Sequence, residues 1–221
     1  MQPTCYMCDS VATSSEHAPP KCFFPSLNAS GKDLRRNLIT VPSCDIHNSE
    51  KSKDDEYLRA IILLASGASS EVAKAHFYDK LLRAVRRKPH AHATFIRPIG
   101  LRLDIGEMLE IDLERFNRCM QALGCALHYH KFQAPLGLPL HVISPSLYAQ
   151  GAGSVHVPPP HQAAIRVTRQ FLARESVGGE NPEVFMFRAR RDEQSGMYAF
   201  AAVFYESFEV FGATPRSRAA A

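Results

Sequence analysis

Two pairs of residues near the N-terminus have the types and the spacing of a metal site. The first pair is Cys5-x-x-Cys8 and the second is Cys44-x-x-His47. Two soft ligands separated by two residues can bind one ion from a tight turn, and a second pair completes the tetrahedron that zinc prefers. The sequence therefore predicts a closed, structural zinc site. Such a site would stabilise a turn-rich segment that can build little hydrophobic core of its own.

The chain has six cysteines, and those outside these pairs have weaker claims to a metal. Cys22 could compete as a ligand, but it has no paired partner. Cys119 and Cys125 fall in an apolar stretch with helical periodicity, which indicates buried thiols. The simplest alternative to the zinc site is a set of ordinary cysteines with a surface histidine at position 47.

Three residues between and beside the pairs have the chemistry of phosphodiester hydrolysis. That reaction needs a base to deprotonate water and a cation to neutralise the phosphate and the leaving oxygen. A histidine side chain commonly serves as that base, which makes His17 the candidate. Glu16 offers a carboxylate, and Asn48 an amide oxygen, to a hard ion such as Mg²⁺ or Mn²⁺. Because Asn48 directly follows His47, a zinc site would fix its position.

Three basic residues are candidates for binding a phosphate backbone. Lys51 lies one helical turn after the second pair, and Arg35 and Arg36 lie on the segment between the pairs. Basic side chains of this kind position a nucleic acid without reading its bases. The net charge of +4 is compatible with a polyanionic partner but does not demonstrate one.

The local pattern predicts the elements that would position these residues. A short strand leads up to His17, and a second strand covers residues 37–41 and ends at Pro42. A helix begins at Ser52, where Ser52-x-x-Asp55 resembles a capping box, and Gly67 would end it. The predicted order is strand, loop, strand, helix.

Beyond residue 67 the pattern predicts elements but no further motif with a chemical interpretation. Helices are predicted at residues 70–87, 107–130 and 162–173. Strands are predicted at residues 94–103, 140–143 and 208–211, and a hairpin at residues 183–190 and 197–205 turns around Gly196.

Composition limits the class of protein. A chain that is 45% hydrophobic and 22% charged should fold and bury a core. It has no apolar run of about 18 residues, so we expect no membrane span. No signal peptide is evident, so we expect a cytoplasmic, reducing compartment in which cysteines are metal ligands or free thiols rather than disulfides.

The combined pattern resembles the HNH endonucleases, and more narrowly their zinc-stabilised branch. That branch has the motifs C-x2-C, [DE]-H-x-x-P and C-x2-C-N-x-x-K. The corresponding residues here are Cys5-x-x-Cys8, Glu16-His17-x-x-Pro20 and Cys44-x-x-His47-Asn48-x-x-Lys51. One departure is His47, where the branch usually has cysteine, although histidine also binds zinc well. The resemblance covers residues 3–66.

The resemblance implies a ββα-metal fold, in which a β-hairpin and a helix surround one catalytic divalent ion. It implies that His17 is the general base, that Glu16 and Asn48 bind a catalytic Mg²⁺ or Mn²⁺, and that the two pairs bind structural zinc. The expected fold class is α+β, with a zinc-bound nuclease domain in residues 1–67 and an α+β region of unknown role in residues 68–221.

The expected partner is a nucleic acid, DNA rather than RNA, and a homodimer is left open. Two alternatives also stay open at this point. One is a non-catalytic zinc-binding module that binds nucleic acid or a protein partner. The other is an RNA-cutting toxin or defence effector that uses the same residues.

Overall fold

The fold combines helices with antiparallel sheets, which confirms the predicted α+β class. The structure is a computed structural model, and it describes residues 3–28, 30–49, 52–66, 69–81, 111–137, 139–148, 150–151 and 154–215. Among these residues, no helix has both the length and the apolar character needed to cross a membrane.

The N-terminal segment forms a hairpin followed by helices. Strand β1 (Ser14–His17) pairs antiparallel with β2 (Thr40–Ser43), and α1 (Asp45–Ser49) and α2 (Ser52–Ser66) follow. The predicted strand before His17 and the predicted helix at Ser52 are therefore present. Their assignment to a nuclease domain stays a proposal.

The second strand lies later than predicted. Asn37 has a φ of 52°, in the left-handed region, and is therefore excluded from an extended strand. Strand β2 also includes Pro42, where the sequence predicted its end. Proline has no N–H to donate, but its carbonyl accepts a hydrogen bond from the Tyr6 N–H (2.9 Å), so it fits in this small sheet.

The rest of the described chain builds a second, larger sheet and the helices around it. The helices are α3 (Glu71–His76), extended by a π-helical turn (Phe77–Leu81), α4 (Leu113–Phe132) and α5 (Pro159–Leu172). Single 3₁₀ turns cover Lys21–Phe23 and Pro145–Leu147. The strands are β3 (His141–Ile143), the short pair β4 (Gln150–Gly151) and β5 (Ser154–Val155), β6 (Phe185–Arg191), β7 (Tyr198–Phe204) and β8 (Phe208–Ala213).

Helix boundaries differ from the predicted ones where capping overrides the apolar pattern. The described part of the third predicted helix begins at Leu113, because the Asp112 side chain accepts a hydrogen bond from the Arg115 N–H and caps it there. Helix α5 begins at Pro159, a residue type favoured in the first helical turn. The predicted strand at 94–103, and residues 82–87 of the second predicted helix, lie outside the described residues.

The larger sheet has the order β3-β8-β7-β6 and carries a helix on each face. Helix α4 approaches one face closely at Gly124, where an added Cβ would lie 2.5 Å from the Phe200 ring. There the Tyr198 hydroxyl donates to the Gly124 carbonyl (3.0 Å). Helix α5 packs on the opposite face, where Ile165 and Phe211 belong to one buried cluster.

One hydrophobic core joins the N-terminal segment to this sheet. The Phe23 and Phe204 rings lie 5.4 Å apart, and the Tyr205 hydroxyl donates to the Phe23 carbonyl. At the surface, Lys32 forms an ion pair with Glu183 (2.8 Å). The predicted division of the chain into residues 1–67 and 68–221 stays a prediction.

Candidate metal centre

The two predicted pairs meet at one point, and their ligand atoms all lie within 4.8 Å of one another. Bonds of about 2.3 Å to sulfur and about 2.0–2.1 Å to nitrogen, at tetrahedral angles, place two sulfurs about 3.8 Å apart and a sulfur about 3.6 Å from a nitrogen. The Cys8 and Cys44 sulfurs are 3.9 Å apart. Nδ1 of His47 lies 3.5, 3.6 and 3.2 Å from the sulfurs of Cys5, Cys8 and Cys44. This cluster could hold a metal ion such as zinc.

The local backbone explains why these four side chains converge. The first pair lies in a turn that the Cys5 N–H closes by donating to the Ser10 carbonyl (2.8 Å). Cys44 directly follows β2, and His47 lies in α1, one turn further on. The Met7 N–H points at the Cys5 sulfur (3.5 Å), a contact that supports a thiolate ligand. The donor set and its closed form match a structural rather than a catalytic zinc site.

The two cysteines of the first pair differ in environment. Burial raises the pKa of the Cys5 thiol, whereas hydrogen bonds from the side chain and backbone of Ser10 lower the pKa of Cys8. Cys22 lies outside the cluster, and its thiol donates to the Asp55 carbonyl (3.8 Å). Burial raises the pKa of Cys22 to about 11, so it is a neutral thiol and a poor ligand at neutral pH.

Glu16 lies beneath the hairpin surface. Its side chain is buried, with 8% of the residue exposed, and its carboxylate accepts hydrogen bonds from the Tyr6 hydroxyl (3.1 and 3.3 Å) and from the Ser43 hydroxyl (3.5 Å). Burial and the negative charge of Glu16 raise the pKa of Tyr6 well above its usual range, so its phenol stays a donor. The sequence did not predict either partner, because no motif relates Tyr6 or Ser43 to Glu16.

Asn48 is held against the same face of β1. Its Nδ2 donates to the Ser14 hydroxyl (2.9 Å), and its backbone N–H donates to the Cys44 carbonyl (3.0 Å). Ser14 and Glu16 are two residues apart on a strand, so their side chains share a face. Asn48 therefore lies next to the Cys-His cluster, on the side of the hairpin that carries Glu16.

His17 points to the opposite side of β1. Adjacent residues on a strand face opposite ways, and His17 lines a cavity together with Asp55 and Leu58 of α2 and Met120 of α4. Its Nδ1 is buried and has no hydrogen-bond partner among the described residues. The cavity volume is about 10 Å³, room for about one water molecule. A phosphodiester could reach His17 only from its partly exposed side.

The predicted phosphate-binding residues have separate surroundings. The Arg35 side chain donates to the Phe24 carbonyl (2.8 Å) and is partly buried. Arg36 has 80% of its side chain exposed and pairs with Asp33 (3.4 Å). Lys51 lies outside the described residues. Of the predicted basic residues that the structure describes, Arg36 is thus the more accessible to a phosphate.

Comparison of the chain with protein-family models, with curated proteins and with solved structures finds no match in any of the three. The function is therefore argued from the residues and the geometry of the site.

Proposed function

We propose that this protein is a metal-dependent endonuclease of the HNH type, with a structural zinc ion and one catalytic Mg²⁺ or Mn²⁺. The observation that carries the proposal is the position of Asn48. It follows the last residue of the Cys-His cluster, and its amide contacts Ser14 on the face of β1 that carries Glu16. The cluster thereby ties both proposed ligands of the catalytic ion to one small hairpin.

His17 is the proposed general base. It adjoins Glu16 in β1, and its buried Nδ1 has no hydrogen-bond partner among the described residues. His17 would take a proton from the attacking water. A divalent ion bound by Glu16 and Asn48 would stabilise the charge on the leaving 3′ oxygen. Arg35, Arg36 and Lys51 would contact the phosphate backbone, of DNA in preference to RNA.

One observation favours a second candidate, a non-catalytic zinc-binding module that binds nucleic acid or a protein partner. The Glu16 carboxylate is engaged by Tyr6 and Ser43, and it faces away from His17. A catalytic ion would have to share this carboxylate with those donors. In the second candidate, Glu16 is a buried structural acceptor and His17 lines a small cavity without a chemical role.

Cleavage assays with matched variants separate the two candidates. Supercoiled plasmid and a structured RNA are incubated with Mg²⁺ or Mn²⁺ and with wild type, His17→Ala or His156→Ala, and zinc content is measured on each protein. His156 is exposed and precedes α5, so its variant controls for loss of an imidazole elsewhere. We expect cutting by wild type and His156→Ala, a loss of about 10²-fold or more in His17→Ala, and equal zinc in all three.

Glu16→Gln tests the ion site separately. Glutamine keeps an oxygen that accepts the Tyr6 hydrogen bond but removes the charge that attracts a divalent ion. We expect zinc to be retained and the Mg²⁺ requirement for cutting to rise. If no protein cuts either substrate while zinc is present in all of them, the non-catalytic candidate replaces the nuclease. Preferential cutting of the RNA would instead favour an RNA-directed effector.

A further inference from the structure

A second concave site lies on the far face of the larger sheet, between α5 and strands β6, β7 and β8. Its volume is about 360 Å³, compared with about 10 Å³ for the cavity beside His17. Sites for small organic ligands commonly begin at about 300 Å³. The site exists because one helix covers this face incompletely, and residues beyond the end of α5 form its outer wall.

The floor of the site is apolar. Met186 of β6, and Ala201 and Val203 of β7, are partly buried and lie between buried neighbours along their strands. These three side chains form the floor together with Leu172 at the end of α5. Val177 lines the rim and is 52% exposed, so apolar surface remains open to solvent there. Covering this surface with the apolar body of a ligand would be favourable.

The charged side chains that line the site have a net charge of +1. Arg169 pairs with Glu209 (2.6 Å) and lies over the Phe211 ring, 5.0 Å from its centre, so these two charges offset each other. Arg188 is exposed in the middle of β6, and among the described residues it forms no ion pair. Its guanidinium can bind a carboxylate through two parallel hydrogen bonds.

We propose that this site binds a small amphipathic carboxylate, with its apolar body on the sheet and its head group at Arg188. The net charge of the site matches a monoanion, whereas a phosphate monoester would place a second negative charge near Glu209. A volume of about 360 Å³ lies at the lower end of the range of small-molecule sites, so a ligand of modest size fits. The proposal is independent of the proposed nuclease activity.

Decanoate, below its micelle concentration, is the probe. Binding to the full chain is followed by NMR of ¹³C-methyl groups of methionine and valine, which reports on Met186, Val177 and Val203 directly. Decanol has the same hydrocarbon chain without the negative charge, and acetate has the carboxylate without the long chain. We expect saturable shifts at these methyl groups with decanoate, affinity at least about tenfold lower for decanol, and no binding of acetate.

Two variants and a control test the two parts of the site. Arg188→Gln should weaken decanoate binding about tenfold and leave decanol binding unchanged. Val203→Phe should fill the floor and abolish binding of both, with an unchanged methyl spectrum elsewhere as the test of folding. Arg191→Gln changes an exposed arginine of the same strand that does not line the site, and it should bind as wild type does. The proposal is overturned if wild type shows no saturable shift, or if Arg188→Gln and Arg191→Gln bind decanoate equally.

Discussion

Removing one thiolate from the Cys-His cluster should release the metal and destabilise the N-terminal hairpin. Cys44→Ser is the sharpest change, because Cys44 is 5% exposed and its sulfur lies 3.2 Å from Nδ1 of His47 and 3.9 Å from the Cys8 sulfur. A structural zinc site contributes about 10–16 kcal/mol of apparent binding energy in small zinc-dependent modules. The net stability of a whole domain is only about 5–15 kcal/mol.

The loss in this protein should be smaller than the full binding energy, because the hairpin also packs on the common core. Tyr6, Phe23 and Leu34 are fully buried in that core and would hold part of the segment in place without metal. A loss of even about 3 kcal/mol would lower the melting temperature by about 6–12 °C in a chain of this size. We therefore expect a fall of at least that size, together with loss of zinc.

The assay is metal content by mass spectrometry and thermal unfolding by circular dichroism. Wild type treated with a chelator should behave as Cys44→Ser does. Cys22→Ser is the matched control, because Cys22 is a partly buried thiol outside the cluster and serine can still donate to the Asp55 carbonyl. If Cys44→Ser retains one zinc ion per chain and has the melting temperature of wild type, the assignment of Cys44 as a ligand is refuted.

Three further changes test the packing that holds the site. Gly124→Ala places a Cβ 2.4 Å from Leu140 and 2.5 Å from Phe200, so we expect it to lower the free energy of unfolding, measured with urea, by about 1–3 kcal/mol. Gly137→Ala is the control and should leave the free energy of unfolding unchanged, because nothing lies within 4 Å of its added Cβ. An equal effect of the two alanines would contradict the close helix–sheet approach. Tyr6→Phe removes the hydroxyl that donates to buried Glu16 and should lower the free energy of unfolding by about 1.5–3 kcal/mol, with zinc retained. An unchanged unfolding midpoint would mean that this hydrogen bond is not made. Tyr205→Phe removes the hydroxyl that contacts His76 and the Phe23 carbonyl, and it should lower the free energy of unfolding by about 1–3 kcal/mol. Faster amide hydrogen exchange at Phe23 would show that the N-terminal segment opens more readily. Unchanged exchange at Phe23 would argue that the Tyr205 hydroxyl does not hold this segment on the sheet.

The local pattern predicted the elements that are set by neighbouring residues. The strand before His17, the helix from Ser52 and the hairpin around Gly196 all appear in the structure. Each depends on signals within a few residues, such as alternation or a turn glycine. Two boundaries were misplaced, because the cap at Asp112 and the left-handed backbone at Asn37 are not marked by the apolar pattern. Helix α1 and the short pair β4 and β5 were not predicted.

The sequence by itself predicted the four residues of the Cys-His cluster, which could hold a metal ion. The x-x spacing of Cys5 with Cys8 and of Cys44 with His47 fits the reach of a tight turn around one ion, so the ligand set could be read without a fold. Only the tertiary structure decided the surroundings of Glu16 and His17. Their adjacency in sequence suggested a common site, but the pleat of β1 turns them to opposite faces, toward Tyr6 and Ser43 in one case and toward α2 and α4 in the other. Those neighbours come from distant parts of the chain, and their positions depend on how the hairpin packs on the common core.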